Sequence, residues 1–245
     1  MKIKRIAHRG FSSEAPENSF VSFALAVEGD FYGIECDVWK SKDGEYVVSH
    51  DGNLERMCDV NRSIPETAYD ELKSYPIKRG KKRTQYAQQF LIKLTDYLSI
   101  LQRVENKLAV IELKMDYTVV ELREIVALVQ EYGLYERVVF ISLHGGVLLR
   151  LKKELGFPSE RLQYVYGAIS ANKWIPVNME VEHWLMENRI NLDARYTLLS
   201  KGTVMRLHEA GLLVNAWTVN KKQDMTRMLF EVGVDMVTTE YYYEI

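Results

Sequence analysis

The chain has 245 residues, 47% of them apolar and 27% charged, a balance that excludes disorder, collagen-like repeats and a coiled coil. Lys and Arg number 32 against 34 Asp and Glu, and a formal charge of −2 leaves no global electrostatic reason to bind nucleic acid or an anionic membrane. The two cysteines, Cys36 and Cys58, cannot build a disulfide framework and suit a reducing compartment.

The start, Met1 to Ala7, is basic, but Ile6 and Ala7 are followed at once by His8-Arg9, whereas a secretory signal needs roughly 7–15 apolar residues there. No run approaches the roughly 20 apolar residues that span a bilayer, so the expectation is a cytoplasmic protein without stable membrane insertion. Ile3 to Ala7 reads as a first strand. Phe20, Phe23, Ala24 and Val27 have helical spacing within Asn18 to Val27. Ile34 to Trp39 reads as a strand, turned by Lys42-Asp43-Gly44-Glu45 into a second, Tyr46 to Ser49. Asp51 to Lys93 has weak periodicity and the basic run Lys78 to Arg83; it reads as an insertion, helical near Glu66 to Ser74.

Regular alternation follows. Strands are predicted at Leu108–Leu113, Val138–Ser142, Leu162–Val165, Ile190–Asp193, Leu213–Thr218 and Asp235–Thr238. Helices separate or precede them at Thr95–Val104, Thr118–Tyr132, Val147–Leu155, Val177–Asn188, Thr203–Ala210 and Gln223–Val232, four of them closed by Gly133, Gly156, Gly211 or Gly233. With Ile3 and Ile34 this makes eight main strands, the alternation of a (β/α)8 barrel in one domain. The competitor, a doubly wound sheet, more often has a Gly-rich turn after its first strand, where this chain has His-Arg-Gly-Phe-Ser-Ser-Glu.

In such a barrel the chemistry lies at the C-terminal strand ends. His8 and Arg9 end the first strand, Glu35 and Asp37 project together from the second, His50-Asp51-Gly52 ends its hairpin return, and Glu112 and Lys114 end the third. Three carboxylates converging on one mouth repel each other, which a hard cation such as Ca²⁺ or Mg²⁺ relieves through oxygen ligands. A salt-bridge cluster of the same carboxylates with Arg9 and Lys114 is the alternative. Two histidines beside an arginine-held anion form an acid–base pair, and phosphate is the natural anion.

In this order, His8-Arg9-Gly10, Pro16-Glu17-Asn18-Ser19, Glu35-x-Asp37-Val38, Asp43-Gly44, His50-Asp51 and Glu112-Leu113-Lys114 resemble the glycerophosphodiester phosphodiesterase family. Ala210-Gly211-Leu212, Trp217-Thr218-Val219-Asn220 and Gly233-Val234-Asp235 extend the resemblance over nearly the whole chain. It implies a TIM barrel with a small insertion after the second strand, and hydrolysis of glycerophosphodiesters to glycerol 3-phosphate and an alcohol. It implies one divalent cation, Ca²⁺ or Mg²⁺, on Glu35, Asp37 and Glu112, with His8 and His50 as general acid and base and Arg9 and Lys114 on the phosphate. The glycerol 2-hydroxyl would serve as internal nucleophile, giving a cyclic phosphate that water opens. Trp217, at a strand end, is expected as a wall under the glycerol, with plain barrel core as the alternative. Arg56-Met57-Cys58, Leu91-Ile92-Lys93-Leu94, Ser142-Leu143-His144 and Thr239-Glu240 depart from the family pattern; all but the last lie where the leaving alcohol would be chosen.

His144, His183 and His208 read as bystanders, and the basic run as a solvated loop. Asn61-Arg62-Ser63 matches a glycosylation sequon but lacks a secretory route. The Tyr241-Tyr242-Tyr243 tail can pack under the barrel or at an oligomer contact. A lysophospholipase D, a glycerophosphate-polymer phosphodiesterase, or a barrel that binds a phosphorylated ligand without turnover would use the same residues.

Overall fold

Ile6 pairs with Gly33 on one side and with Thr238 on the other, and these contacts close the sheet on itself. The computed structural model describes residues 3–167 and 175–244; Met1 and Lys2, at the head of the basic start, lie outside them. The strands are β1 (Arg5–Ala7), β2 (Gly33–Lys40), β3 (Tyr46–Val48), β4 (Leu108–Leu113), β5 (Val138–Ser142), β6 (Leu162–Tyr166), β7 (Asn191–Arg195), β8 (Val214–Trp217) and β9 (Met236–Thr239). All pair in parallel except β3, which runs antiparallel to β2, so the order β1-β9-β8-β7-β6-β5-β4-β2, closed by β1–β2, is an eight-stranded parallel barrel.

The helices are α1 (Phe20–Glu28), α2 (Glu55–Cys58), α3 (Tyr69–Leu72), α4 (Leu94–Gln102), α5 (Val119–Glu131), α6 (Gly145–Leu155), α7 (Met179–Asn188), α8 (Lys201–Glu209) and α9 (Lys222–Thr226). Their starts follow capping chemistry more closely than apolar periodicity. Thr118 and Glu121 cap α5 reciprocally, Asn178 accepts from Val181 N–H to begin α7, and Ser200 accepts from Thr203 N–H to begin α8 two residues ahead of the predicted start. The last predicted helix is not uniform: α9 runs into a π-helical turn over Arg227–Val232 before Gly233 takes φ +88°. No helix among the described residues is long and apolar enough to cross a membrane.

Alternation of strand side chains builds two cores. Ile34, Cys36, Val38, Ile111, Leu113 and Phe140 face outward and pack against the helices, all fully buried. Ile6, Val110, Val139, Ile141, Val165 and Met236 fill the barrel interior. Each large side chain buried this way contributes about 1.5–3 kcal/mol by removing apolar surface from water.

The segment after β3 carries its own small core: Leu54, Cys58, Ile64, Leu72, Ile77 and Leu91 pack with Val47 of the hairpin. Its periodicity looks weak because α2 and α3 span only four residues each. The basic run within it is tied down: Arg79 pairs with Asp59 at 2.8 Å and Lys82 pairs with Glu14. Gly80, at φ +113°, rests on Pro16 so closely that a Cβ there would fall 2.7 Å from Pro16 Cα. The tyrosine tail packs on its own chain. The Arg5 guanidinium donates to the Tyr243 carbonyl at 2.7 Å, and the Tyr243 hydroxyl donates to the Asn220 carbonyl at 2.8 Å.

Candidate active site

Glu35 and Asp37 lie two residues apart on β2, and Asp37 is in register with Glu112 on β4, so three carboxyl groups share one side of the mouth. One oxygen from each lies within 4.8 Å of the others. Glu35 accepts the Arg9 N–H at 2.8 Å through Oε2, while its buried Oε1 has no partner. A buried carboxylate oxygen without a donor is costly. An oxygen-only set with one acceptor left open fits a hard divalent cation.

Two cations brace the cluster. Lys114 Nζ lies 3.2 Å from Asp37 and 3.0 Å from Glu112, and Arg9 Nε lies 3.4 Å from Asp37. Arg9 takes φ +56°, which turns its N–H toward Glu35; the following Gly10, at φ +78°, has no room for a Cβ against Ser22. Burial pushes the Asp37 carboxyl up, but Lys114 and Arg9 outweigh it and hold it well below the usual carboxylate range. Burial, with Asp37 and Glu112 alongside, pushes Glu35 well above that range. Burial also raises Glu112, against the pull of Lys114.

The histidines arrive by different routes. His8 follows β1, its N–H donating to the Thr239 carbonyl at 2.9 Å, with Nδ1 3.6 Å from Glu240 Oε1. Burial and the neighbouring Arg9 lower its pKa below the ordinary 6.5, which keeps the ring neutral near pH 7. His50 comes from the hairpin. β2 extends past its contact with β4 to pair with β3, and the returning chain donates from Ser49 N–H to the Asp37 carbonyl at 3.1 Å. Trp39 Nε1 then donates to the His50 carbonyl at 3.2 Å, and His50 Nδ1 meets Asp51 Oδ1 at 2.7 Å.

His8, Arg9, Glu35, His50, Glu112, Lys114 and Trp217 line one cavity, floored by Ile141 and Val165; Asp37, 1% exposed, sits behind the lining. Trp217 is anchored by Nε1 donating to the Asp193 carbonyl at 3.1 Å. Sequence reasoning had not singled out several side chains that hold this arrangement. Asn18 donates to Asp37 at 2.8 Å, Glu17 accepts from both Arg9 and Arg56, and Arg56 reaches Asp51 at 2.5 Å. Asn18 and Glu17 sit inside the Pro-Glu-Asn-Ser motif, whose spacing alone assigns no contact. Asp193 also lines the cavity; its signal was a carboxylate at the end of the weak strand Ile190–Asp193. Of the departures from the family pattern, Met57 and Cys58 pack into the insertion's core and do not line this cavity. His144 faces the Lys114 carbonyl at 3.3 Å, and His208 pairs with Asp235 at 2.9 Å.

Residues 8–243 match the sequence profile of the glycerophosphoryl diester phosphodiesterase family. The chain belongs to this family. A glycerophosphodiester phosphodiesterase of Caldanaerobacter subterraneus subsp. tengcongensis is 30% identical over 248 residues, covering 98% of this chain and 95% of that one. A glycerophosphodiester phosphodiesterase of Parabacteroides distasonis superposes with a TM-score of 0.76 at 26% identity, covering 97% of this chain and 92% of that one. An Oleispira antarctica phosphodiesterase shares the fold with a TM-score of 0.83 at 24% identity, over 97% of this chain and 93% of that chain. The protein is thus an enzyme of a family of TIM-barrel phosphodiesterases that hydrolyse glycerophosphodiesters.

Proposed function

We propose that the enzyme hydrolyses small glycerophosphodiesters to glycerol 3-phosphate and an alcohol, with one divalent cation, Ca²⁺ or Mg²⁺, held by Glu35, Asp37 and Glu112. The observation that carries this reading is the convergence of those three carboxyls, one with an open buried oxygen, beside Arg9, Lys114 and two histidines around one cavity. The Oleispira antarctica phosphodiesterase, whose structure is a complex with the product sn-glycerol-3-phosphate, supports the same product.

When bound, the cation supplies positive charge that offsets negative charge building on the phosphate oxygens. Arg9 and Lys114 hold the phosphate from the same side. His8, neutral near pH 7, takes the proton of the glycerol 2-hydroxyl as its oxygen forms a bond to phosphorus. His50, its Nδ1 fixed by Asp51, presents Nε2 to the leaving oxygen and gives it a proton as the bond to the alcohol breaks. The cyclic phosphate is then opened by water with the roles reversed: His50 takes a proton from water and His8 returns one to the 2-oxygen. Holding nucleophile and phosphorus in one molecule removes the cost of bringing them together.

Residues 1–245 form one domain in this reading, with 51–93 as an insertion bordering the mouth. Two cysteines that are free and buried support a reducing, cytoplasmic setting. The test is release of glycerol 3-phosphate from glycerophosphocholine with Ca²⁺ or Mg²⁺ and with EDTA. Turnover that survives EDTA, or full activity in His50→Ala, overturns the proposal. Turnover of lysophosphatidylcholine but not of glycerophosphocholine would transfer the site to a lysophospholipase D.

A further inference from the structure

We infer that Asp193 is a specificity-determining residue of this site, accepting the terminal hydroxyl of the substrate's glycerol on the barrel wall opposite the three-carboxylate cluster. The inference rests on the proposed glycerophosphodiester hydrolysis and adds to it the residue that selects the glycerol end.

In the closed strand order, β7 stands four strands from β2 in either direction, so Asp193 faces Glu35 and Asp37 across the mouth. Among the described residues, the Arg and Lys side chains of the lining, Arg9 and Lys114, lie on the far side with those carboxyls. The phosphate therefore belongs there. What extends from it toward β7 meets Asp193 and the ring of Trp217.

Asp193 is 3% exposed, yet no Lys, Arg or His among the described residues pairs with it. Its side-chain partner is Asn215, whose Nδ2 donates to Asp193 Oδ1 at 2.9 Å and to Thr238 Oγ1 at 2.8 Å. Asn215 Oδ1 is itself buried without a partner. This wall thus holds more acceptors than donors. A buried carboxyl without a cation is expensive to keep. An ionised Asp193 repels a phosphate oxygen, and Arg9 and Lys114 draw the phosphate to the opposite wall, so a charged oxygen is not what this carboxyl meets. A neutral hydroxyl can relieve that cost.

The same residue positions the neighbouring apolar surface, since its carbonyl holds Trp217 Nε1 at 3.1 Å. A flat ring for carbon atoms beside an acceptor for oxygen suits a short polyol. A hydroxyl both donates and accepts, so it pairs with the carboxyl with or without its proton. A site built to bond a substrate hydroxyl discriminates against the analogue that lacks it, because its polar group is left unpaired.

The test compares two diesters of the same leaving alcohol: one of glycerol, and one of propane-1,2-diol, which keeps the hydroxyl next to the phosphorylated carbon and lacks the terminal one. The wild-type enzyme is expected to favour the glycerol diester in kcat/KM by roughly 10- to 100-fold, the range of a hydrogen bond to a charged group. In Asp193→Ala and Asp193→Leu the ratio should fall toward one. In Asp193→Asn, which retains an acceptor oxygen, part of it should remain. A wild-type enzyme that turns over both diesters alike overturns the inference, whatever the variants do. So does a variant that slows both equally, which is the mark of a purely structural role. No turnover of either diester by the wild type would instead fail the proposed hydrolysis itself.

Discussion

Lys114→Met removes a buried positive charge from between two buried carboxyls while keeping the length and bulk of the side chain. Lys114 is 10% exposed, Asp37 1% and Glu112 12%, and the two contacts are 3.2 and 3.0 Å. Breaking a buried pair by deleting one partner costs about 3–5 kcal/mol, because the other charge is left uncompensated. Glu112 is already pushed toward its neutral form by burial, and a proton taken up there limits the loss to the lower end, about 3 kcal/mol. For a chain of this size each kcal/mol moves the thermal midpoint by roughly 2–4 °C, so Tm should fall by roughly 6–12 °C. That figure applies in EDTA. With millimolar Ca²⁺ or Mg²⁺ a cation on Glu35, Asp37 and Glu112 replaces the missing charge, and most of the drop should vanish. The assay is thermal unfolding of both proteins in chelator and in each cation. A drop of the same size in both conditions would mean that the three carboxyls do not share a cation. A drop under about 2 °C in EDTA would mean that the carboxyls do not depend on Lys114 for their charge balance.

His50→Ala should lower kcat by roughly 10²–10⁴ while lowering the thermal midpoint by no more than roughly 2–4 °C, the cost of its bond to Asp51, measured by product release and by unfolding of the same preparation. Asp51→Asn should lower kcat about 10-fold, by loosening the imidazole, with little change in KM. It should also change the acid limb of stability. Asp51 is held at about 2 by its hydrogen bond from His50 and by Arg56, below its unfolded value, so its contribution is present above about pH 4 and is lost as pH falls through about 2. Unfolding at pH 7 should therefore show Asp51→Asn weaker by about 1 kcal/mol, a figure reduced for the partial exposure of the side chain, and the difference should close near pH 2. Ser19→Ala should cost about 1 kcal/mol by removing the cap of α1, visible in urea unfolding.

Much of this fold is legible in the residues because strand and helix periods alternate without interruption after Leu94. β4 and β5 coincide with their predicted ranges, and the other barrel elements up to α8 shift by one or two residues, in α8 because the Ser200 cap rather than an apolar face sets the start. The insertion was less legible. Its core is built from turns, short helices and isolated apolar residues such as Ile64 and Leu91, which leave no period to read. In the site, residues spaced by two on a strand were readable as sharing a face, which is how Glu35 with Asp37 and Glu112 with Lys114 could be grouped. Contacts made across loops were not. Arg56 joins Asp51 to Glu17 over a separation of 39 residues, and Asn18 reaches Asp37 from a different element. Such bonds depend on where two loops come to rest, which no local pattern encodes.

In the proposed enzyme the three carboxyls on β2 and β4 hold one divalent cation needed for turnover. The most direct measurement is calorimetric titration of the EDTA-treated enzyme with Ca²⁺ and with Mg²⁺, paired with glycerol 3-phosphate release at each point, for the wild type and for Glu35→Gln. The expected result is one cation bound per chain, activity that rises with occupancy, and loss of both binding and activity in Glu35→Gln. Full activity in the absence of any divalent cation, or unchanged cation binding in Glu35→Gln, would contradict it.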